Sequence, residues 1–285
     1  MIFQNLQEVP IQHIADTFNL AFSDYVVPMH FTEAQLKEKL LRDGINLEHS
    51  VGAFAEGKLV GYILQGIGTW EGKNTAYNGG TGVVPAYRGR KLTQQLYEYS
   101  FPRLQEVGVE QCLLEVLQTN QPAVKTYRAL GFKPTRKLIS YKGTFSRTLP
   151  AEKENNPAIR IQKVSSIDWP KLKNFWDYSP SWQYSIDALQ RVRHVTKLYE
   201  VTANNNLIGY GAVNQNTNRI AQFAIAPAFR RKGLGIQLFR ELIAGLTGPV
   251  VIMNVAEDNL ATNQFLVAGG LHPYITQIEM VLGLK

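Results

Sequence analysis

The chain carries a copy of itself. The segment VVPAYRGRKLTQQL, beginning at Val83, lies over IAPAFRRKGLGIQL, beginning at Ile225, and these starts stand 142 positions apart in a chain of 285 residues. Upstream, SVGAFAEGKLVGYILQ (from Ser50) matches KLYEVTANNNLIGYGAVNQ (from Lys197), with Gly61-Tyr62 over Gly209-Tyr210. That offset is 148, so the first copy holds six additional residues between positions 66 and 78, around Trp70 and Glu71. Downstream, LLEVLQTNQPAVKTYRALGF parallels VIMNVAEDNLATNQFLVAGGL, and Asn120 faces Asn259. An internal period of this kind defines the architecture before any motif does.

Two domains of about 140 residues agree with the usual length prior of roughly 150 per domain. The expected boundaries are a first domain over 1–143, a linker over 144–158 and a second domain over 159–285, because TFSRTLPAEKENNPA replaces apolar periodicity with Ser, Pro, Asn and charge. Hydrophobic residues at 45% and charged residues at 19% fit a folded globular chain. No apolar run approaches the ~18 to 20 residues of a membrane span, and MIFQNLQEVP has no leader pattern. The expected location is the cytoplasm, with no membrane partner. A single cysteine, Cys112, inside the apolar QCLLEVL, reads as a buried hydrophobe in a reducing compartment. The five histidines show no metal-ligand spacing, so no metal is expected. The net charge of +7 favours an anionic ligand, yet the basic residues form no long stripe and nucleic acid is not expected as a partner.

Each half reads as α+β. An opening strand leads to helical segments, then a β-hairpin, a strand ending in V/I-x-P, a basic Gly-containing loop and a helix, then an apolar strand and a short helix starting near Asn120 or Asn259. Leu234, Leu238, Leu242 and Leu246 form a core stripe that Gly248 ends, and Pro102 is expected to kink or divide the matching helix of the first half. The strand-loop-helix junctions are Arg88-Gly89-Arg90-Lys91-Leu92-Thr93 and Arg230-Arg231-Lys232-Gly233-Leu234-Gly235. A helix start exposes unpaired N–H groups and a dipole that favours anions, so both junctions are expected to hold phosphate, with Val83, Val84 and Ile225 on the strand beside them. The side chain of Arg88 is expected to face phosphate and that of Arg90 to be solvated.

The pattern Q/R-x-x-G-x-G/A after V-x-P, followed by N-x-x-A-x-x-x-Y-x-x-x-G-F at Asn120, Ala123, Tyr127, Gly131 and Phe132, resembles the GCN5-related N-acetyltransferase superfamily, and its double occurrence resembles the tandem members. The resemblance implies two domains, each a mixed, mostly antiparallel sheet flanked by helices, and acetyl-CoA as cosubstrate with its pyrophosphate on the loop amides. It implies acyl transfer to an amine of a small molecule or peptide, with Tyr127 protonating the departing thiolate. The copies depart from the pattern in opposite ways. The second keeps Gly233 and Gly235 but has Leu266 at the tyrosine position, whereas the first keeps Tyr127 but has Lys91 and Thr93 where the loop prefers small residues. Turnover is therefore expected in the first half, and the second half is a second site, a CoA-binding copy without turnover, or a structural partner.

Asn120 can bond the pantetheine, cap the following helix, or both. Glu115, in a strand face with Leu113 and Leu117, is either the general base or a carboxylate linked to water at an edge. Asp24, Tyr25, His30 and Phe31, in FSDYVVPMHF, are expected in the acceptor pocket, and Trp70 is expected to close over it. The competing expectation is an acyl-CoA-binding sensor without turnover, with neither loop-and-tyrosine set complete.

Overall fold

A computed structural model describes residues 1–25, 29–146 and 158–284. The chain divides into two compact units, Met1–Thr135 with Ile278–Lys285, and Arg136–Gln277.

In the first unit the elements run β1 (Ile2–Asn5), α1 (Ile11–Ala21), α2 (Glu33–Asp43), β2 (Val51–Ala55), β3 (Lys58–Trp70), β4 (Lys73–Val83), α3 (Leu92–Glu106), β5 (Gln111–Leu117) and α4 (Gln121–Ala129). The sheet order is β1-β2-β3-β4-β5, antiparallel except for the parallel pair β4–β5, which α3 connects. Thr32 and Gln35 form a reciprocal capping box that starts α2. Two-residue turns with both residues left-handed, Glu56-Gly57 here and Asn204-Asn205 in the second unit, tighten the hairpins that the repeat aligned. One core, with Leu96, Cys112 and Leu114, lies between the sheet and α3; another, with Ile14, Phe18, Leu36 and Leu64, lies under α1 and α2. Pro102 sits inside α3 without dividing it.

The second unit runs through most of β6 (Lys133–Gly143), then β7 (Ile159–Val164), α5 (Trp169–Leu172), α6 (Ile186–Arg191), β8 (Thr196–Ala203), β9 (Asn206–Asn214), β10 (Arg219–Ile225), α7 (Leu234–Ile243), β11 (Val250–Ala256), α8 (Leu260–Ala268) and the first part of β12 (Leu271–Gly283). Its sheet order is β6-β11-β10-β9-β8-β7, with β10–β11 parallel. Leu234, Leu238 and Leu242 are buried as the stripe predicts, but α7 stops at Ile243, before Gly248.

The units depart from the expected boundaries at their last strands. From Arg136 onward β6 belongs to the second unit, where Ile139, Tyr141 and Phe145 pack in its core. The end of β12 belongs to the first, where Met280 is fully buried and Ile278, Leu282 and Leu284 pack around it. Residues 147–157 of the expected linker lie outside the described residues. Its start is not linker-like, since Phe145 packs against Phe239 with ring centroids 4.3 Å apart.

Candidate active site

Both loops expected to hold phosphate have one backbone. Each begins with a single 3-10 turn at the V/I-x-P end, Pro85–Tyr87 and Pro227–Phe229, and each then passes through two left-handed residues. These are Gly89 (φ 74°) and Lys91 (φ 56°) in the first unit, and Arg231 (φ 63°) and Gly233 (φ 88°) at the corresponding positions of the second. The duplication thus keeps the conformation while each copy retains glycine at a different one of the two places. A left-handed non-glycine residue costs about 1–2 kcal/mol. Lys91→Gly is accordingly expected to raise stability by about 1 kcal/mol in chemical denaturation, and Gly233→Lys to lower it by a similar amount.

Among the described residues, no hydrogen-bond partner is present for the backbone N–H groups of Gly89, Arg90, Lys91, Leu92 and Thr93, nor for those of Arg231, Lys232, Gly233, Leu234 and Gly235. The side chains of Leu92 and Leu234 are buried in their cores, so these residues offer only their amides. The substitutions Lys91 and Thr93 leave this amide set intact.

The side chains of the first loop arginines do something other than expected. Arg88 donates from Nε to the Val83 carbonyl (3.1 Å), from Nη2 to the Ala21 carbonyl (2.8 Å), and through both Nη atoms to the Asp24 carboxylate (2.6 and 2.8 Å). Arg230 repeats the arrangement with the carbonyls of Ile225 and Phe175 and with Asp177. Both guanidinium groups brace the loop against the unit, and Asp24, expected at the acceptor, is the partner of that brace in the first unit. The Arg88 hydrogen bonds hold the Asp24 carboxyl below its ordinary value. Arg90 and Lys232 instead lie over the rings of Tyr87 and Phe229.

The strands beside each loop part company. β4 and β5 pair from Thr75↔Gln111 to Asn78↔Leu114 and no further, and β10 and β11 pair only at Arg219↔Val251 and Ile220↔Ile252. In both units a bulge in the preceding ladder, at Gly79 and at Ala221, marks the split. A Cβ at Gly79 would stand 2.6 Å from Ile45 Cδ1, so the Ile45 side chain would have to shift to admit it. The Gly79 carbonyl accepts from Lys39 Nζ at 2.6 Å. The Val84 amide, expected at the cofactor, donates to the Val60 carbonyl (3.0 Å), and Ala226 donates to Ile208 (2.7 Å). Antiparallel alternation then turns the amides of Val83 and Thr81, and of Ile225 and Phe223, into the gap. In the second unit this gap opens into a cavity of about 620 Å³.

Asn120 does two jobs with two atoms. Its Oδ1 caps α4 by accepting from the Ala123 amide (3.2 Å), while its Nδ2 donates to the Tyr25 hydroxyl (3.3 Å). Asn259 caps α8 in the same way at 3.0 Å, and its buried Nδ2 has no partner among the described residues.

Tyr127, 8% exposed, stands at the mouth of the first gap among polar side chains that sequence reasoning missed. Burial raises its phenol above the ordinary value of 10.0, and hydrogen bonding with Thr81 and Asn78 opposes the shift. Asn78 Nδ2 donates to Thr81 Oγ1 and to Tyr97 Oη, each at 2.8 Å. The aligned repeats place Phe223 at the position of Thr81 and Phe239 at that of Tyr97, both 142 positions on, and Leu266 at that of Tyr127, 139 positions on as Asn259 is from Asn120. Phe223, Phe239 and Phe265 form an aromatic cluster with centroids 5.5 to 5.7 Å apart, and Leu266 is fully buried. The simultaneous loss of several polar positions was visible in the overlay of the two copies.

Glu115 is the first residue of β5 beyond its last pair with β4. Its Oε2 accepts from Tyr77 Oη at 2.7 Å. It lies in the field of Lys39, a buried lysine whose ammonium burial disfavours and whose ion pair with Asp43 opposes that effect. Asp43 is fully buried; burial would raise its carboxyl, but Arg42 and Lys39 outweigh it and hold the carboxyl low.

The remaining acceptor candidates separate. Tyr25 reaches Asn120, but His30 is exposed, and Phe31 packs edge-on against Phe18 at 5.0 Å in the core under α1 and α2. Trp70 is at the wrong end of the sheet. It pairs with Lys73 at the hairpin turn, six residues of strand, or about 20 Å, before Gly79. The extra residues lengthen the β3–β4 hairpin there instead of covering the gap. Burial pushes the Cys112 thiol up to about 12, which removes it as a nucleophile.

The sequence model of the acetyltransferase (GNAT) family matches residues 13–132 and again residues 161–268. An N-alpha-acetyltransferase named MAK3 from Arabidopsis thaliana is 32% identical over 89 residues, which are 31% of this chain and 47% of that protein, so the match takes in about half the length of the curated relative. Among solved structures, a GCN5-related N-acetyltransferase from Sphaerobacter thermophilus superposes with a TM-score of 0.72 at 14% identity, covering 100% of this chain and 96% of that one. A tandem GNAT protein from the clavulanic acid biosynthesis pathway gives 0.72 at 13% identity, covering 100% and 98%. At such identities the structures speak for the fold, and the doubled family match supplies the rest: the chain belongs to the acetyltransferase (GNAT) family and carries its domain twice.

Proposed function

We propose that the chain is an acetyl-CoA-dependent N-acetyltransferase that turns over in its first unit and acts on a primary amine of a small molecule or peptide. The observation that carries this is the buried Tyr127 in its Asn78–Thr81–Tyr97 setting, against the hydrocarbon that fills the same positions of the second unit. Acetyl-CoA supplies the activated acyl group as a thioester. The five unpaired loop amides, braced by Arg88, bind its diphosphate. The amides of Val83 and Thr81, turned into the gap, stabilise the charge that develops on the carbonyl oxygen. The amine nitrogen forms the new C–N bond as the C–S bond breaks. Glu115 takes the proton that the amine gives up, because only the free amine attacks, and Tyr127 gives its phenolic proton to the departing sulfur. Buried Cys112 has no part, so transfer is direct.

The second unit keeps the loop, the brace and Asn259 but has Leu266 in place of the tyrosine, which supports CoA binding there without turnover. Among the described residues no helix is long and apolar enough to cross a membrane. Thiol release from acetyl-CoA over a panel of polyamines, amino acids and peptides with free N-termini tests the proposal. Release with at least one amine is expected, unaffected by Gly233→Lys and reduced about a hundredfold at neutral pH by Glu115→Gln. Coenzyme A binding without release from any amine would leave a sensor instead.

A further inference from the structure

The acceptor half of the second cleft has been rebuilt rather than abandoned. Tyr184 and Asn254 line the cavity, are 5% and 2% exposed, and present Oη and Oδ1 without a hydrogen-bond partner among the described residues. Buried polar atoms left unpaired are rare and costly, on the order of 1–3 kcal/mol each, and these two, with Asn259 Nδ2 in the same cavity, point to a ligand. The backbone supports the same conclusion. Asn254 is left-handed (φ 60°) at a break in the β11–β6 register between Ile252 and Val255, and its Nδ2 is held by Ser181 Oγ at 3.0 Å. A side chain placed by an uncommon backbone conformation and fixed by a second residue is a constructed feature.

Charge narrows the ligand. Asn254 occupies the position that Glu115 holds in the first unit, so a carboxylate has become an amide. The single acid among the described lining residues, Asp177, is paired with Arg230. A desolvated ammonium would find no countercharge, which excludes an amine of the kind the first unit acylates. What fits is a neutral group with an N–H for Asn254 and a carbonyl for the Tyr184 hydroxyl, flanked by apolar surface against Trp176, Tyr178 and Phe223.

We propose that this half-cleft is a non-catalytic binding site for an uncharged secondary amide. The product of an N-acyl transfer is such an amide, so the site would sense product; that last clause alone rests on the function proposed for the first unit.

Calorimetric titration of the full chain with N-benzylacetamide and with benzylamine tests it. The amide is expected to bind at least tenfold more tightly than the amine. Asn254→Gly keeps the left-handed backbone while removing the side chain, and Tyr184→Phe removes only the hydroxyl. Each is expected to weaken amide binding three- to tenfold, and Asn254→Asp to reverse the preference toward the amine. Equal binding of amine and amide, or amide affinity unchanged in both Asn254→Gly and Tyr184→Phe, overturns the proposal; the latter result would assign the amide to the product position of the first unit. Failure of thiol release would remove the product-sensing role and leave the binding measurement standing.

Discussion

Tyr127→Phe is expected to lower turnover by about a hundred- to a thousandfold, the usual scale of a general acid, with little change in KM for the acyl donor. The substitution keeps the ring contacts with Tyr97 (6.1 Å) and Phe132 (5.7 Å), so packing is preserved and the proton alone is lost. Since burial raises the phenol, the acid form persists as pH rises through 10, and the wild-type alkaline limb assigned to this group lies above pH 10. A variant with unchanged turnover takes Tyr127 out of the mechanism. The reciprocal change, Leu266→Tyr, is expected to produce no second activity. Phe223 and Phe239 stand where Thr81 and Tyr97 position the phenol in the first unit, so the new hydroxyl would be buried without partners at a cost of about 1–3 kcal/mol.

Met280→Ala is expected to destabilise the first unit by about 2–5 kcal/mol and to abolish turnover at temperatures the wild type tolerates. The residue is fully buried and lies five positions from the end of the chain, far along the sequence from every catalytic candidate. It packs nevertheless into the core of Leu96, Leu114 and Tyr127. Urea titration followed by thiol release measures both effects. A midpoint shift with activity untouched would place Met280 outside the unit that carries turnover.

The repeat exposed the doubled domain, both loops and the unequal fates of Tyr127 and Leu266, because these depend on residues near one another in sequence or aligned between copies. Amide availability was equally legible: a helix start leaves N–H groups unpaired whichever side chains it bears, so Lys91 and Thr93 do not close the site. The direction of a side chain was not legible. Arg88 and Asp24 looked like separate ligand contacts and turned out to be partners, 64 positions apart, in a brace repeated by Arg230 and Asp177. Trp70 sits in the six-residue excess as expected, yet strand pairing carries it to the far end of β4.

What the chain's sequence determined by itself was two copies of one α+β domain, each with a helix start that offers unpaired amides, and a tyrosine at the position of Tyr127 in only one of them. What tertiary structure decided was which last strand completes which core, because duplication makes β6 and β12 equivalent by pattern, and only burial of Met280 in one unit and Tyr141 in the other separates them. It also decided that Asn254 Oδ1 and Tyr184 Oη stand at the same cavity without a partner among the described residues. They come from segments about 70 residues apart, and local propensity carries no information about partners that distant.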